Sequence, residues 1–131
     1  MRKLVVAAGI IKEAERYLVA KRAVHKAQGG LWEFPGGKIE LNESPEKCLE
    51  RELWEELSIR VKVGAFFAKS IFSYQAVTIE LLAYWVDHID GEILLTEHEE
   101  ARYVATEDMG TLRFAPADMP IVKALVAADN R

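Results

Sequence analysis

The chain has 131 residues, half of them hydrophobic and 29% charged, with a net charge of −4. That length and composition suit one ordinary globular domain spanning residues 1–131, and exclude a disordered or collagen-like chain. The acidic balance argues against a binder of polymeric nucleic acid, though not against a nucleotide, whose charge a cation can neutralise locally.

The first apolar run, Leu4 to Ile11, is β-branched and reads as a core strand. It stops at Lys12, too short for a membrane span, and no cleavage pattern follows, so a cytoplasmic protein without a membrane partner is expected. Lys12 to Arg16 reads as a hairpin turn and Tyr17 to Arg22 as the second strand. Residues 23–32 form a loop, Glu33-Phe34 a short strand, and Pro35-Gly36-Gly37 a turn in which two glycines let backbone approach a phosphate or metal. Residues 45–57 read as a helix, with Ser44 as N-cap, Pro45 at the first position and Glu46 at the positive end of the dipole. Arg60 to Phe72 and Val77 to Val86 are strands separated by Ser73-Tyr74-Gln75. Short strands follow at Ile93 to Leu95 and Ala101 to Val104, and a last helix runs from Pro116 to Ala128. This order predicts an α/β fold with a mixed sheet between helices.

The helix carries the chemistry. Leu49, Leu53 and Leu57 form one apolar stripe at about 100° per residue. Glu52 and Glu56 fall within roughly 60° of Leu49, and Glu55 lies about 60° beyond Glu52. Carboxylates beside a core and beside one another repel unless a cation sits among them. Hard divalent cations take several oxygen ligands, so Glu55 and Glu56 are first-choice metal ligands, with Glu52 a further ligand or base. Mg²⁺ is the expected cofactor, with Mn²⁺ a possible substitute. The one cysteine, Cys48, precludes an internal disulfide and reads as a buried bystander on this helix.

The stretch Gly37-KIELN-Glu43-SPEKCLE-Arg51-Glu52-Leu53-Trp54-Glu55-Glu56-Leu57-Ser58-Ile59 resembles the Nudix box, G-x5-E-x7-R-E-U-x-E-E-x-G-U with U aliphatic. Ser58 replaces the final glycine, a departure that costs about 1 kcal/mol or less and removes no ligand. The preceding Gly29 to Glu40 looks like the MutT branch. The resemblance implies an α/β/α sandwich and assigns metal ligation to Glu52, Glu55, Glu56 and the Gly37 carbonyl. It gives Arg51 the role of orienting a neighbouring glutamate and leaves Glu43 supporting, while a purely structural role stays open for both. It also places an arginine at Arg22 on the phosphates. Lys38 is a second candidate cation. One further carboxylate is expected from Glu97-His98-Glu99-Glu100, first Glu97, then Glu100, with Glu99 also open and His98 a loop residue.

Trp32, Phe34 and Phe72 are candidate stacking partners for a base, against the plainer reading of core aromatics. Asp118, in Ala117-Asp118-Met119-Pro120, reads as a helix cap or as the base-reading residue. An ionised Asp accepts only, which suits the cytosine amino group. The expected activity is Mg²⁺-dependent hydrolysis of (deoxy)nucleoside triphosphates to monophosphate and pyrophosphate, with CTP, dCTP or modified pyrimidine nucleotides as substrates. An oxidised-purine (8-oxo-dGTP) sanitising enzyme, an ADP-ribose or dinucleotide diphosphatase, and an inactive Nudix-like nucleotide-binding module are the alternatives. The partner is a small-molecule nucleotide, and the protein a monomer or homodimer.

Overall fold

The structure, a computed structural model, describes residues 2–130. Strand β1 (Arg2–Ile10) is followed by β2 (Lys12–Glu13), β3 (Arg16–Arg22), β4 (Trp32–Glu33) and β5 (Gly36–Lys38). Helix α1 (Pro45–Leu57) precedes β6 (Arg60–Tyr74), β7 (Val77–Asp90) and β8 (His98–Val104), and helix α2 (Met119–Asp129) comes last. Short 3-10 turns at Thr106–Thr111 and Pro116–Asp118 lead into α2.

The larger sheet is mixed, in the order β5-β1-β7-β6. β1 runs parallel to β7, from Arg2 opposite Val77 to Ile10 opposite Trp85, and the other pairings are antiparallel. A second, antiparallel sheet is centred on β3, with β8 along one edge and β2 and β4 on the other. Alternation along β1 sorts its side chains onto two faces. Ala7 and Ile11 pack with Leu49, Leu53 and Leu57 of α1, whereas Ala8 and Ile10 pack with Ile121, Val122 and Leu125 of α2. The mixed sheet therefore lies between the helices, as the sequence predicts.

Helix α1 begins and ends where its sequence signals place it. Ser44 accepts the Lys47 N–H at 3.1 Å, and Pro45 opens the first turn. Ser58 takes the left-handed conformation (φ 60°, ψ 32°) with its N–H on the Trp54 carbonyl at 3.0 Å.

Four expectations are corrected. Gly36 and Gly37 are not a turn: they form β5, antiparallel to β1, with Gly36 opposite Ala8 and Gly37 opposite Ala7. A Cβ on Gly36 would lie 1.9 Å from the Ala7 carbonyl oxygen, so the glycine serves strand approach. Residues 93–95 are not a strand. The Leu94 N–H donates to Leu57 O at 2.9 Å, and Thr96 Oγ1 donates to Glu55 O at 3.1 Å, so this segment satisfies the last carbonyls of α1. The β6–β7 turn is Gln75-Ala76, with Ser73 and Tyr74 inside β6. The final helix starts at Met119, after a 3-10 turn.

Ser58→Gly removes the Cβ from a left-handed residue, and equilibrium urea unfolding should show a gain of up to about 1 kcal/mol. A lowered midpoint would show that the serine side chain contributes more than its backbone strain costs.

Candidate active site

The glycine strand and α1 are joined by one side chain. The Arg51 guanidinium donates from Nε and Nη2 to both oxygens of Glu43 (2.7 and 2.9 Å). Its Nη1 reaches Glu52 Oε1 at 2.8 Å and Glu55 Oε1 at 3.1 Å, and Nη2 also reaches the Lys38 carbonyl at 3.2 Å. A planar fork that serves several acceptors at once is what arginine supplies and lysine does not. The Arg51 bonds hold the Glu43 carboxyl down to about 2, and the glutamates in turn raise Arg51. Glu43 also accepts the Glu40 N–H at 3.0 Å, which fixes the loop between β5 and α1.

Glu52 and Glu56 lie on the other side of this cluster. A Cβ on Gly37 would fall 2.3 Å from Glu52 Cδ, so the Glu52 carboxyl rests directly on the Gly37 backbone. Glu56 Oε2 is buried and has no hydrogen-bond partner. Burial, then the negative charges of Glu52 and Glu33, push the Glu56 carboxyl well above the usual carboxylate range, and Arg22 opposes the shift. Glu55 is placed differently: its side chain is 51% exposed and its carboxylate is held by Arg51. The structure thus sets Glu52 on Gly37, with Glu56 interacting with Glu52, and leaves Glu55 at the rim.

Among the described residues, no three Asp, Glu, His or Cys side chains are gathered as a complete metal cage. Mg²⁺ does not require one, since it is held through one or two carboxylates, waters and substrate phosphates. The unpartnered Glu56 oxygen, the adjacent Glu52 and the side-chain-free backbone at Gly37 fit that demand. Cys48 is buried beside them, its thiol pushed up to about 12, first by burial and then by Glu43, and it donates weakly to the Gly37 and Lys38 carbonyls. That is a packing role, not a nucleophile's.

Two cavities meet at Arg22. One, of about 340 Å³, is lined by Arg22, Ala23, Lys26, Glu56, Glu97 and His98. The other, of about 390 Å³, runs from Gly36, Gly37 and Lys38 past Phe34, Leu81 and Ile79 to Asp118. Lys26 pairs with Glu97 across the mouth of the first cavity and lowers the Glu97 carboxyl. The loop carrying Glu97 is tied to the end of α1 through Leu94 and Thr96, so Glu97 and Glu56 are positioned by the same helix terminus.

Asp118 occupies the N-cap position of α2, but its side chain makes no capping bond. It is 5% exposed, and Oδ2 accepts the Phe34 N–H at 3.0 Å. Burial raises its carboxyl from the ordinary 3.8 to about 8, against the opposing pull of the Phe34 hydrogen bond. Below that pH Asp118 is a neutral acid that can donate as well as accept, contrary to the accept-only carboxylate expected from sequence.

Other candidates fall elsewhere. Phe34 lines the second cavity while stacking on Phe114 at 5.6 Å between centroids. Trp32 is buried beneath the Arg102 guanidinium (4.7 Å), and Phe72 packs beside Tyr74, so neither lines the cavities. Glu100 pairs with Arg102 at 2.7 Å and Glu99 with Lys21 at 3.8 Å. Sequence reasoning passed over Glu33, which pairs with Arg22 at 3.3 Å and with His98 at 2.9 Å. The available signal was alternation: between buried Trp32 and Phe34, a strand glutamate must face the opposite side.

Comparison with known proteins identifies the family. The NUDIX domain sequence model matches residues 1–125. The chain is 36% identical over 127 residues to the CTP pyrophosphohydrolase of Escherichia coli K12, covering 97% of this chain and 94% of that protein. It is 32% identical over 126 residues to the 8-oxo-dGTP diphosphatase of the same organism, covering 95% and 98%. The solution structure of the E. coli ORF135 protein superposes with a TM-score of 0.88 at 36% identity, covering 98% of this chain and 92% of that one. With an intact set of box carboxylates, the arginine that organises them and these relatives along nearly its whole length, the chain belongs to the Nudix family and is a Nudix hydrolase.

Proposed function

We propose that the protein hydrolyses (deoxy)nucleoside triphosphates to the monophosphate and pyrophosphate with Mg²⁺ as cofactor. The observation that carries this reading is the pair of cavities joined at Arg22. One is apolar and ends in a buried carboxyl, and the other is lined by Glu56, whose buried Oε2 has no hydrogen-bond partner. In this reading the base lies between Phe34 and Asp118, and the phosphates pass Gly37 and Arg22 towards Glu56. Glu52, Glu56 and the Gly37 carbonyl would hold the metal, which supplies Lewis-acid polarisation of the phosphates and a more acidic water. Arg22 and Lys38 counter the phosphate charge. Glu97 is a carboxylate within reach to accept a proton from an attacking water. Arg51 touches no substrate and acts by fixing Glu43, Glu52 and Glu55. No described helix is long and apolar enough to cross a membrane, which is compatible with action on soluble nucleotides in the cytoplasm.

Cytidine nucleotides are the first choice of substrate. A neutral Asp118 offers an acceptor to the cytosine amino group and a donor to the adjacent ring nitrogen. A specific observation favours a second reading. A carboxyl raised to about 8 can also serve a base edge that needs a donor, such as that of an oxidised guanine. Both relatives' names, CTP pyrophosphohydrolase and 8-oxo-dGTP diphosphatase, fall within this range.

A hydrolysis panel of canonical and oxidised nucleotides, with products resolved by chromatography, tests the reaction. Monophosphate and pyrophosphate should appear together. Prompt release of single orthophosphate from purified protein would contradict the regiochemistry.

The placement of the carboxylates ranks their importance. Glu52→Gln and Glu56→Gln should each lower turnover at least ~100-fold at saturating Mg²⁺, the scale of losing one electrostatic element. Glu55→Gln should lose less, because its carboxylate serves Arg51. Equal losses at all three positions would show that Glu55 joins the metal site.

The Asp118 carboxyl sets a pH dependence. Its folded pKa is raised, so the stability linked to it is fully present below 3.8 and is lost as pH rises through about 8. Asp118→Asn is neutral at every pH. It should behave much like the wild type near pH 6.5, then exceed it in kcat/KM for the preferred base by roughly ten- to a hundredfold at high pH, the worth of one base contact. Normalising each rate to that of a substrate with a different base cancels general pH effects. A wild-type-to-variant ratio that stays flat across pH 6.5 to 9.5 would remove Asp118 from base reading.

A further inference from the structure

Outside the box, one cluster joins Arg22 to two mostly buried side chains that have no assigned role. It comes from three neighbouring strands: Glu33 on β4, Arg22 at the end of β3, and His98 at the start of β8. Glu33 stands opposite Ala20, so it shares a face with Arg22, two residues along β3. The β3–β8 ladder shifts register between Lys21 and Arg22: Lys21 pairs with Glu100, but Arg22 pairs with His98. Glu99 is skipped and turns to Lys21. A bulge of this kind re-aims a side chain, and here it brings His98 to the Arg22 face.

The contacts form a chain. His98 Nε2 lies 2.9 Å from Glu33 Oε2, and Arg22 Nη1 lies 3.3 Å from each Glu33 oxygen. Arg22 Nε donates to the Ala27 carbonyl at 2.8 Å. The His98 side chain is 4% exposed, and its Nδ1 is buried without a partner. A carboxylate only accepts, so Nε2 carries the proton. The geometry therefore places a proton on Nε2 and makes His98 a fixed donor to Glu33.

Arg22 lines both cavities and is otherwise a long, half-exposed side chain. With Nε and Nη1 committed, the guanidinium is set in one orientation before substrate arrives. Ordering a cation in advance lowers the cost of engaging phosphate. We infer that His98 and Glu33 are positioning residues of the reaction: His98 fixes Glu33, and Glu33 fixes Arg22 where the phosphate chain passes. This rests on the proposed placement of the phosphates at Arg22.

A mutant cycle separates the two claims. His98→Leu should lower kcat/KM for the preferred triphosphate by ~10-fold or more, as expected for losing a hydrogen bond to a charged group. His98→Gln, whose amide N–H falls near the place of Nε2, should recover most of that loss. In an Arg22→Ala background, His98→Leu should change kcat/KM by less than about twofold, because it acts through the missing arginine. Glu33→Gln should follow the same pattern and stands in if His98→Leu does not fold, with thermal melting reporting on each protein. A His98 or Glu33 effect of equal size in both backgrounds would overturn the inference and leave the phosphate placement standing. A His98→Gln protein as impaired as His98→Leu would overturn the donor assignment. An Arg22→Ala protein with unchanged kcat/KM would overturn both the placement and the inference.

Discussion

The site is organised by the ion pairs of Arg51. One guanidinium binds a loop carboxylate, two helix carboxylates and the Lys38 carbonyl of the glycine strand. Without it, Glu43, Glu52 and Glu55 would repel one another across a short distance, and β5 would be held to α1 on this side only by packing and the weak Cys48 thiol contacts. Its presence also explains why the carboxylates are unequal. Those on Arg51 are neutralised by the protein, whereas one oxygen of Glu56 is buried without a partner, where the proposed cation would bind.

Close backbone approach is the second constraint. Gly36 lets β5 lie against Ala7, and Gly37 leaves room for the Glu52 carboxyl. Strand β5 is thereby both the edge of the mixed sheet and the floor of the site. The segment after β7 does similar double work. By capping the carbonyls of α1 it finishes the helix, and it brings Glu97 to the cavity that contains Glu56. Fold and chemistry share these parts, so a change that loosens the helix end also misplaces a candidate proton acceptor.

Local signals were read correctly where local physics decides. Ser44, Pro45 and the leucine stripe define α1 over Pro45–Leu57, and the hairpin at Ala14-Glu15 follows from its flanking strands. The misreadings have tertiary causes. Two glycines signal a turn in isolation, but here Gly36 answers to the Ala7 backbone and Gly37 to the Glu52 carboxyl. Ile93 to Leu95 looks like a strand, yet its polar groups are taken by the end of α1. Asp118 looks like a cap because Asp is a common one, whereas burial against the Phe34 N–H sets its state. Glu33 and His98 could not be joined in sequence, because a register shift across two strands makes the pair.

The central claim is that one nucleotide spans both cavities, with its base at Asp118 and its phosphates between Arg22 and Glu56. The most direct measurement is a crystal structure with Mg²⁺ and a non-hydrolysable α,β-methylene analogue of dCTP. The account predicts the base between Phe34 and Asp118, the phosphates against Arg22, and metal density at Glu52 and Glu56. Phosphates bound at the Asp118 end, or metal held by Glu55 and Glu43 in place of Glu52 and Glu56, would contradict it.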